Sequence, residues 1–130
     1  MKKQGVVVLR GIRGAVTIEE DSKECIFAAV QLLLQEICRQ NALLPESIGA
    51  AIFSATEDIT AAFPAAGARG LPGFSLVPLF DARQMAVADA LPMCIRVLLL
   101  VDTEQKQKDI HHVYLGGARQ LRPDIMKPSV

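Results

Sequence analysis

The run Cys94-Ile95-Arg96-Val97-Leu98-Leu99-Leu100-Val101 constrains the fold of this chain more than any other segment. Arg96 apart, it is apolar without alternation. That pattern belongs to a strand buried on both faces, and hence central in a sheet. A guanidinium cannot escape its charge by deprotonation, so Arg96 in such a strand needs an anion or strong acceptors. Two readings stay open: a buried salt bridge to one of the acidic residues, or a pocket awaiting an anionic ligand.

The flanking segments supply the rest of a sheet and one covering helix. Val6 to Leu9 is a strand that the sequence Arg10-Gly11-Ile12-Arg13-Gly14 turns out of. Asp21-Ser22-Lys23-Glu24 resembles a capping box opening a helix that runs to about Asn41. In it Ile26, Val30, Leu33 and Ile37 share one face, widened by Phe27, Ala29, Leu32 and Leu34 into more surface than a sheet alone would cover. Oligomer contact is the expected use of the surplus. Ile48 to Ala55 is a second strand, and Ala61 to Arg69 a short helix interrupted by Pro64. Phe74 to Phe80 is a third strand, at an edge because of Pro78, followed by a loop with a helical turn from Asp81 to Ala90. Ile110 to Leu115 is the last strand, and from about residue 123 a proline-broken tail is expected to be flexible. The sum is a single α+β domain, a five-stranded sheet packed by one long helix and short helices.

Composition narrows the function. The 130 residues carry 14 Lys plus Arg and 14 Asp plus Glu, with no block of like charge. That balance argues against nucleic acid and against a polybasic membrane tether. Cys25, Cys38 and Cys94 are odd in number and lack metal-ligand spacing, which predicts reduced thiols, no metal and a cytoplasmic location. His111 and His112 are adjacent, so they alternate faces and make poor metal partners. Arg10 and Arg13 also point to opposite faces of a strand. Arg69 closes a helix, Arg122 lies in the tail, and Tyr114 is the only tyrosine. Ser54 has no nucleophile-elbow context. A site drawn from these residues is rich in arginine and lacks a nucleophile or base, which suits a small dicarboxylate and electrostatic catalysis.

Several blocks are together similar to one family. They are Arg10-Gly11-Ile12-Arg13-Gly14-Ala15, Ser54-Ala55-Thr56-Glu57-Asp58, Phe63-Pro64-Ala65 with Arg69, and Val77-Pro78. Cys94-Ile95-Arg96-Val97, His112-Val113-Tyr114-Leu115 and Leu121-Arg122-Pro123-Asp124 complete the set, in order and without large gaps. The sequence resembles the AroH class of monofunctional chorismate mutases from about Leu9 to Asp124. The resemblance implies a homotrimer whose mixed sheets form a pseudo α/β-barrel, with active sites between subunits. It also implies the Claisen rearrangement of chorismate to prephenate in aromatic amino-acid biosynthesis, with no cofactor.

Carried over residue by residue, the resemblance makes Arg96, Arg13, Gln84 and Tyr114 the catalytic set. Arg96 would donate to the ether oxygen and a carboxylate, Arg13 to a carboxylate, and Tyr114 to substrate oxygens. Phe63, Ala65, Arg69, Phe80, Asp81 and Arg122 would bind substrate. The chain departs from the family at Gln84, where Glu is usual, at Ala66, where Lys is common, and at Asp81, often Cys. Three residues apart on a helical turn, Asp81 and Gln84 would share a face, and Asp81 would supply the missing carboxylate. Two other classes fit part of the pattern: a trimeric binding protein with little or no turnover, and an enamine/imine deaminase of the RidA type.

Overall fold

The computed structural model describes residues 5–121. Among these residues there are five strands: β1 (Val8–Thr17), β2 (Ile48–Ala55), β3 (Leu79–Arg83), β4 (Cys94–Thr103) and β5 (Val113–Leu115). They form one mixed sheet in the order β3-β2-β4-β1-β5. β4 is antiparallel to both β1 and β2, whereas β3 joins β2 and β5 joins β1 in parallel. The doubly apolar run is therefore the central strand.

Helices α1 (Lys23–Gln40) and α2 (Pro64–Arg69) lie together on one side of the sheet. Ile26, Val30, Leu33, Leu34 and Ile37 of α1 are fully buried. They pack with Ile12, Phe53, Ile95 and Leu99 from the facing side of the strands, in the larger of two hydrophobic clusters. Among the described residues the sheet's other face has only a small cluster at one end, where Ala15, Cys94, Tyr114 and Ala118 meet Leu91 and Leu121. Toward the other strand ends on that face, Leu9 and Phe80 stay largely exposed. One layer is thus complete and the other only begun.

Several local expectations are corrected. The chain does not turn at Gly11 and Gly14, because β1 continues through both. Gly14 instead marks the closest approach of α1: a Cβ there would stand 2.8 Å from Ile37 Cδ1. Ser22, not Asp21, caps α1, its hydroxyl accepting from the Cys25 amide at 3.2 Å. Pro64 does not interrupt α2 but starts it, in the first turn, where its missing N–H costs nothing. The third strand begins at Leu79 because successive turns from Leu71 to Val77 bury Phe74 and Val77 without extending the chain. Residues 81–83 are strand rather than helical turn. β5 is short because Ile110 to His112 are held outside the ladder, with both backbone groups of His111 bonded to the buried Asn41 side chain. No helix among the described residues is long and apolar enough to cross a membrane.

Asp21 has a second task. Its carboxylate accepts from the Thr60 hydroxyl and from the amides of Thr60 and Ala61, fixing the loop ahead of α2. The Thr60 hydroxyl, then the Ala61 amide, hold its pKa below the ordinary carboxylate value despite an opposing desolvation effect. A depressed acid stabilises the fold above its unfolded pKa and loses that contribution as pH falls through the folded one. Asp21→Ala is therefore expected to lower the melting temperature at neutral pH. The difference from the parent should shrink once acid protonates the carboxylate, as thermal melts across pH will show.

Candidate active site

Strand alternation builds the first part of the site. Arg13 and Ala15 on β1, Ile52 and Ser54 on β2, and Arg96 on β4 all face away from α1. Arg96 lies directly between Ala15 and Ser54 across the ladders, and Tyr114 of β5 lies opposite Ala15. These six residues line a cavity of about 310 Å³ on the sheet's partly covered face. The structure thus gathers Arg96, Arg13 and Tyr114 of the residues expected from sequence. Ser54, set aside as a nucleophile, joins them because the register of β2 against β4 places it opposite Arg96.

Arg96 is half-buried, and its Nε is fully buried without a hydrogen-bond partner. Among the described residues the one salt bridge joins Arg39 to Glu36 on α1, far along the chain from this strand. The salt-bridge reading of Arg96 therefore finds no carboxylate. An unpaired buried donor costs about 1–3 kcal/mol, more when charged, so the arrangement stores a demand for an acceptor. Burial raises the thiol pKa of Cys94, two residues away, and outweighs the lowering by the charge of Arg96 and by its hydrogen bond to the sulfur. The thiol stays protonated and is no nucleophile.

A second group lies on the helical side. Phe63 occupies the N-cap position of α2 and is 71% exposed, and Arg69 in its last turn is also exposed. Ala65 is buried, and its amide donates to Asp81 Oδ1 at 3.0 Å. None of these lines the arginine cavity. Phe80, on the edge strand, is exposed on the same sheet face as Arg96.

Asp81 and Gln84 do not share a face. The segment is extended, so Asp81 points to the helical side with Phe53, its partner across β2, while Gln84 follows the parity of Phe80 and Ala82. The expectation that Asp81 replaces a carboxylate beside Gln84 rested on a helical turn that is absent. Gln84 borders a second cavity of about 350 Å³ with Thr56, Asp58, Met85 and Leu91. Its amide Oε1 is buried and unpartnered. Arg122 lies outside the described residues. Among the described residues no three His, Cys, Asp or Glu side chains come together as a metal site would require.

Residues 9–125 match the family profile described as chorismate mutase type I. The chain is 46% identical to the chorismate mutase AroH of Thermus thermophilus, over 91% of this chain and 97% of that protein. It is 41% identical to the chorismate mutase AroH of Bacillus subtilis (strain 168), over 92% of this chain and 94% of that one. Among solved structures, a chorismate mutase from Clostridium thermocellum superposes with a TM-score of 0.83 at 40% identity. It covers 85% of this chain and 98% of that one.

The Asp81 contact yields a stability test. Asp81→Asn keeps an oxygen for the Ala65 amide, whereas Asp81→Ala removes it and leaves the start of α2 without that acceptor. Denaturant unfolding should show a loss of about 1 kcal/mol for the alanine variant and a distinctly smaller one for asparagine. Equal losses would mean that Asp81 does not act as the cap of α2.

Proposed function

This chain belongs to the type I chorismate mutases, and on that premise we propose how its residues carry the isomerisation of chorismate to prephenate. The observation that carries the reading is Arg96, half-buried in the central strand with its buried Nε lacking an acceptor, facing a cavity beside Arg13 and Tyr114. Chorismate is a dianion with an ether bridge. In the rearrangement the ether C–O bond breaks as a C–C bond forms, and negative charge grows on the ether oxygen. No proton has to move, so a site without a base is sufficient.

Arg96 donates to the ether oxygen and to one carboxylate, stabilising charge as it develops. Arg13 takes a carboxylate at the exposed end, and Tyr114 donates its hydroxyl to substrate oxygens. Together they hold the folded, diaxial conformer that brings the bond-forming carbons within reach. Gln84 borders the neighbouring cavity rather than that of Arg96; the family resemblance assigns it the substrate hydroxyl, which its unpartnered Oε1 is able to accept. It offers no negative charge to balance the arginines.

The remaining groups come from a neighbouring copy. Phe63 and Arg69 stand exposed on the helical side of the sheet, outside the Arg96 cavity, so one subunit offers them to the next. A homotrimer with sites between subunits unites the two halves, and the exposed Leu9 and Phe80 on the half-covered face give it apolar surface to bury. Asp81 holds α2, and with it Phe63 and the Ala65 amide, in place. Arg122 adds a further cation from the tail. The three unpaired cysteines fit the cytoplasm.

The test is loss of the chorismate diene absorbance, with prephenate confirmed by acid conversion to phenylpyruvate. Removal of a donor aimed at developing charge costs about 10²–10³ in kcat. Arg96→Ala is expected to lose at least that much, and Arg96→Lys to recover only part of it, since an ammonium lacks the planar fork. Sedimentation should show both variants assembled like the parent. Turnover retained in Arg96→Ala would remove Arg96 from the centre of the mechanism.

A further inference from the structure

At the start of β5 a side chain replaces a backbone acceptor. The parallel register pairs Gly14 with Val113 and Ala15 with Tyr114. Continued by one residue, such a ladder would offer the His111 carbonyl to the Arg13 amide. That carbonyl is taken by Asn41 Nδ2 at 2.9 Å, while Asn41 Oδ1 accepts from the His111 amide at 2.8 Å. Asn41 itself is anchored at the end of α1, its Nδ2 also donating to the Ile37 carbonyl at 2.9 Å. The Arg13 amide donates instead to His112 Nδ1, at 2.9 Å.

We propose that His112 is a positioning residue for Arg13, holding its backbone through Nδ1 so that the guanidinium meets the substrate carboxylate. A backbone N–H can only donate, so Nδ1 carries no proton and the ring proton sits on Nε2. Arg13 is the most exposed of the three cavity donors, on a strand whose Gly11 and Gly14 neighbours bring no side chain to steady it. The imidazole fixes the backbone that aims a long, entropy-rich side chain. The same segment carries Tyr114 two residues on. One anchor, Asn41, thereby sets the approach of two cavity residues.

The inference rests on the reading of Arg13 as a carboxylate-binding residue, and the experiment separates the two. Steady-state kinetics with chorismate are measured for His112→Ala, His112→Asn, Arg13→Ala and the Arg13→Ala/His112→Ala double variant. Asparagine places an acceptor oxygen close to the position of Nδ1. His112→Ala should raise KM about tenfold with a smaller fall in kcat, and His112→Asn should recover most of that loss. The double variant should be little worse than Arg13→Ala alone, because both changes remove one interaction.

Additive losses in the double variant, unchanged kinetics in His112→Ala, or an asparagine variant as impaired as alanine would each overturn the proposal. A normal KM in Arg13→Ala would overturn the reading beneath it. Should the alanine variant fail to fold, ¹⁵N spectra of the parent protein decide the matter. An unprotonated Nδ1 coupled to the Arg13 amide supports the proposal, and a protonated Nδ1 contradicts it.

Discussion

An arginine that cannot shed its charge, set into the central strand of the sheet, is the constraint around which the rest is arranged. The odd-numbered residues of β4, Ile95 to Val101, go under α1 and build the core. The even-numbered ones include Arg96, so a second helix laid over that face would bury a cation against hydrocarbon. Among the described residues that face is instead closed only at one end, by Tyr114, Ala118 and their neighbours, and a cavity opens where Arg96 lies. Its arginine pocket and half-covered sheet are two aspects of one solution. In the mechanism proposed for this type I chorismate mutase, that pocket takes a substrate with two carboxylates and a bridging oxygen.

The charge balance of the whole chain conceals this arrangement. Fourteen cations match fourteen anions, yet the cavity brings Arg13 and Arg96 together without a described carboxylate beside them. Acidic residues are spent elsewhere: Asp21 secures the loop before α2, Asp81 caps α2, and Asp58 accepts from Thr56 and the Met93 amide. Each of those carboxylates is engaged with backbone amides or hydroxyls of the frame, and none forms a salt bridge with either arginine. The local positive excess results from where the negative groups are used, not from their number.

Much of this was legible in the sequence, for physical reasons that differ by element. The Cys94–Val101 run announced the central strand through its lack of alternation, but the expected burial on both faces is not met: from Arg96 to Leu100 the even-numbered residues are only half-buried. The apolar face of α1 was equally clear, since 3.6-residue spacing survives any tertiary context. Glycine misled at Gly14, where the same residue that permits a turn also permits a helix to approach a strand. Asp81 misled because periodicity over four residues cannot separate a helical turn from an edge strand. The motif set pointed to the family and to Arg96, Arg13 and Tyr114. His112 and Ser54 stand in the same blocks, but their places beside Arg13 and Arg96 emerged only with register, which depends on pairing between segments distant in sequence.

The central claim is that each site is assembled from two sides of this fold belonging to two copies: Arg96 from one and Arg69 from the next. Arg96→Ala and Arg69→Ala chains, each impaired alone, can be denatured, mixed in equal amounts and refolded. If sites lie between subunits of a closed ring, random assembly gives about a quarter of the interfaces both intact arginines. The account predicts that mixed assemblies recover about that fraction of parental turnover. Activity no greater than the sum of the separate variants, in assemblies shown to be mixed, would contradict it.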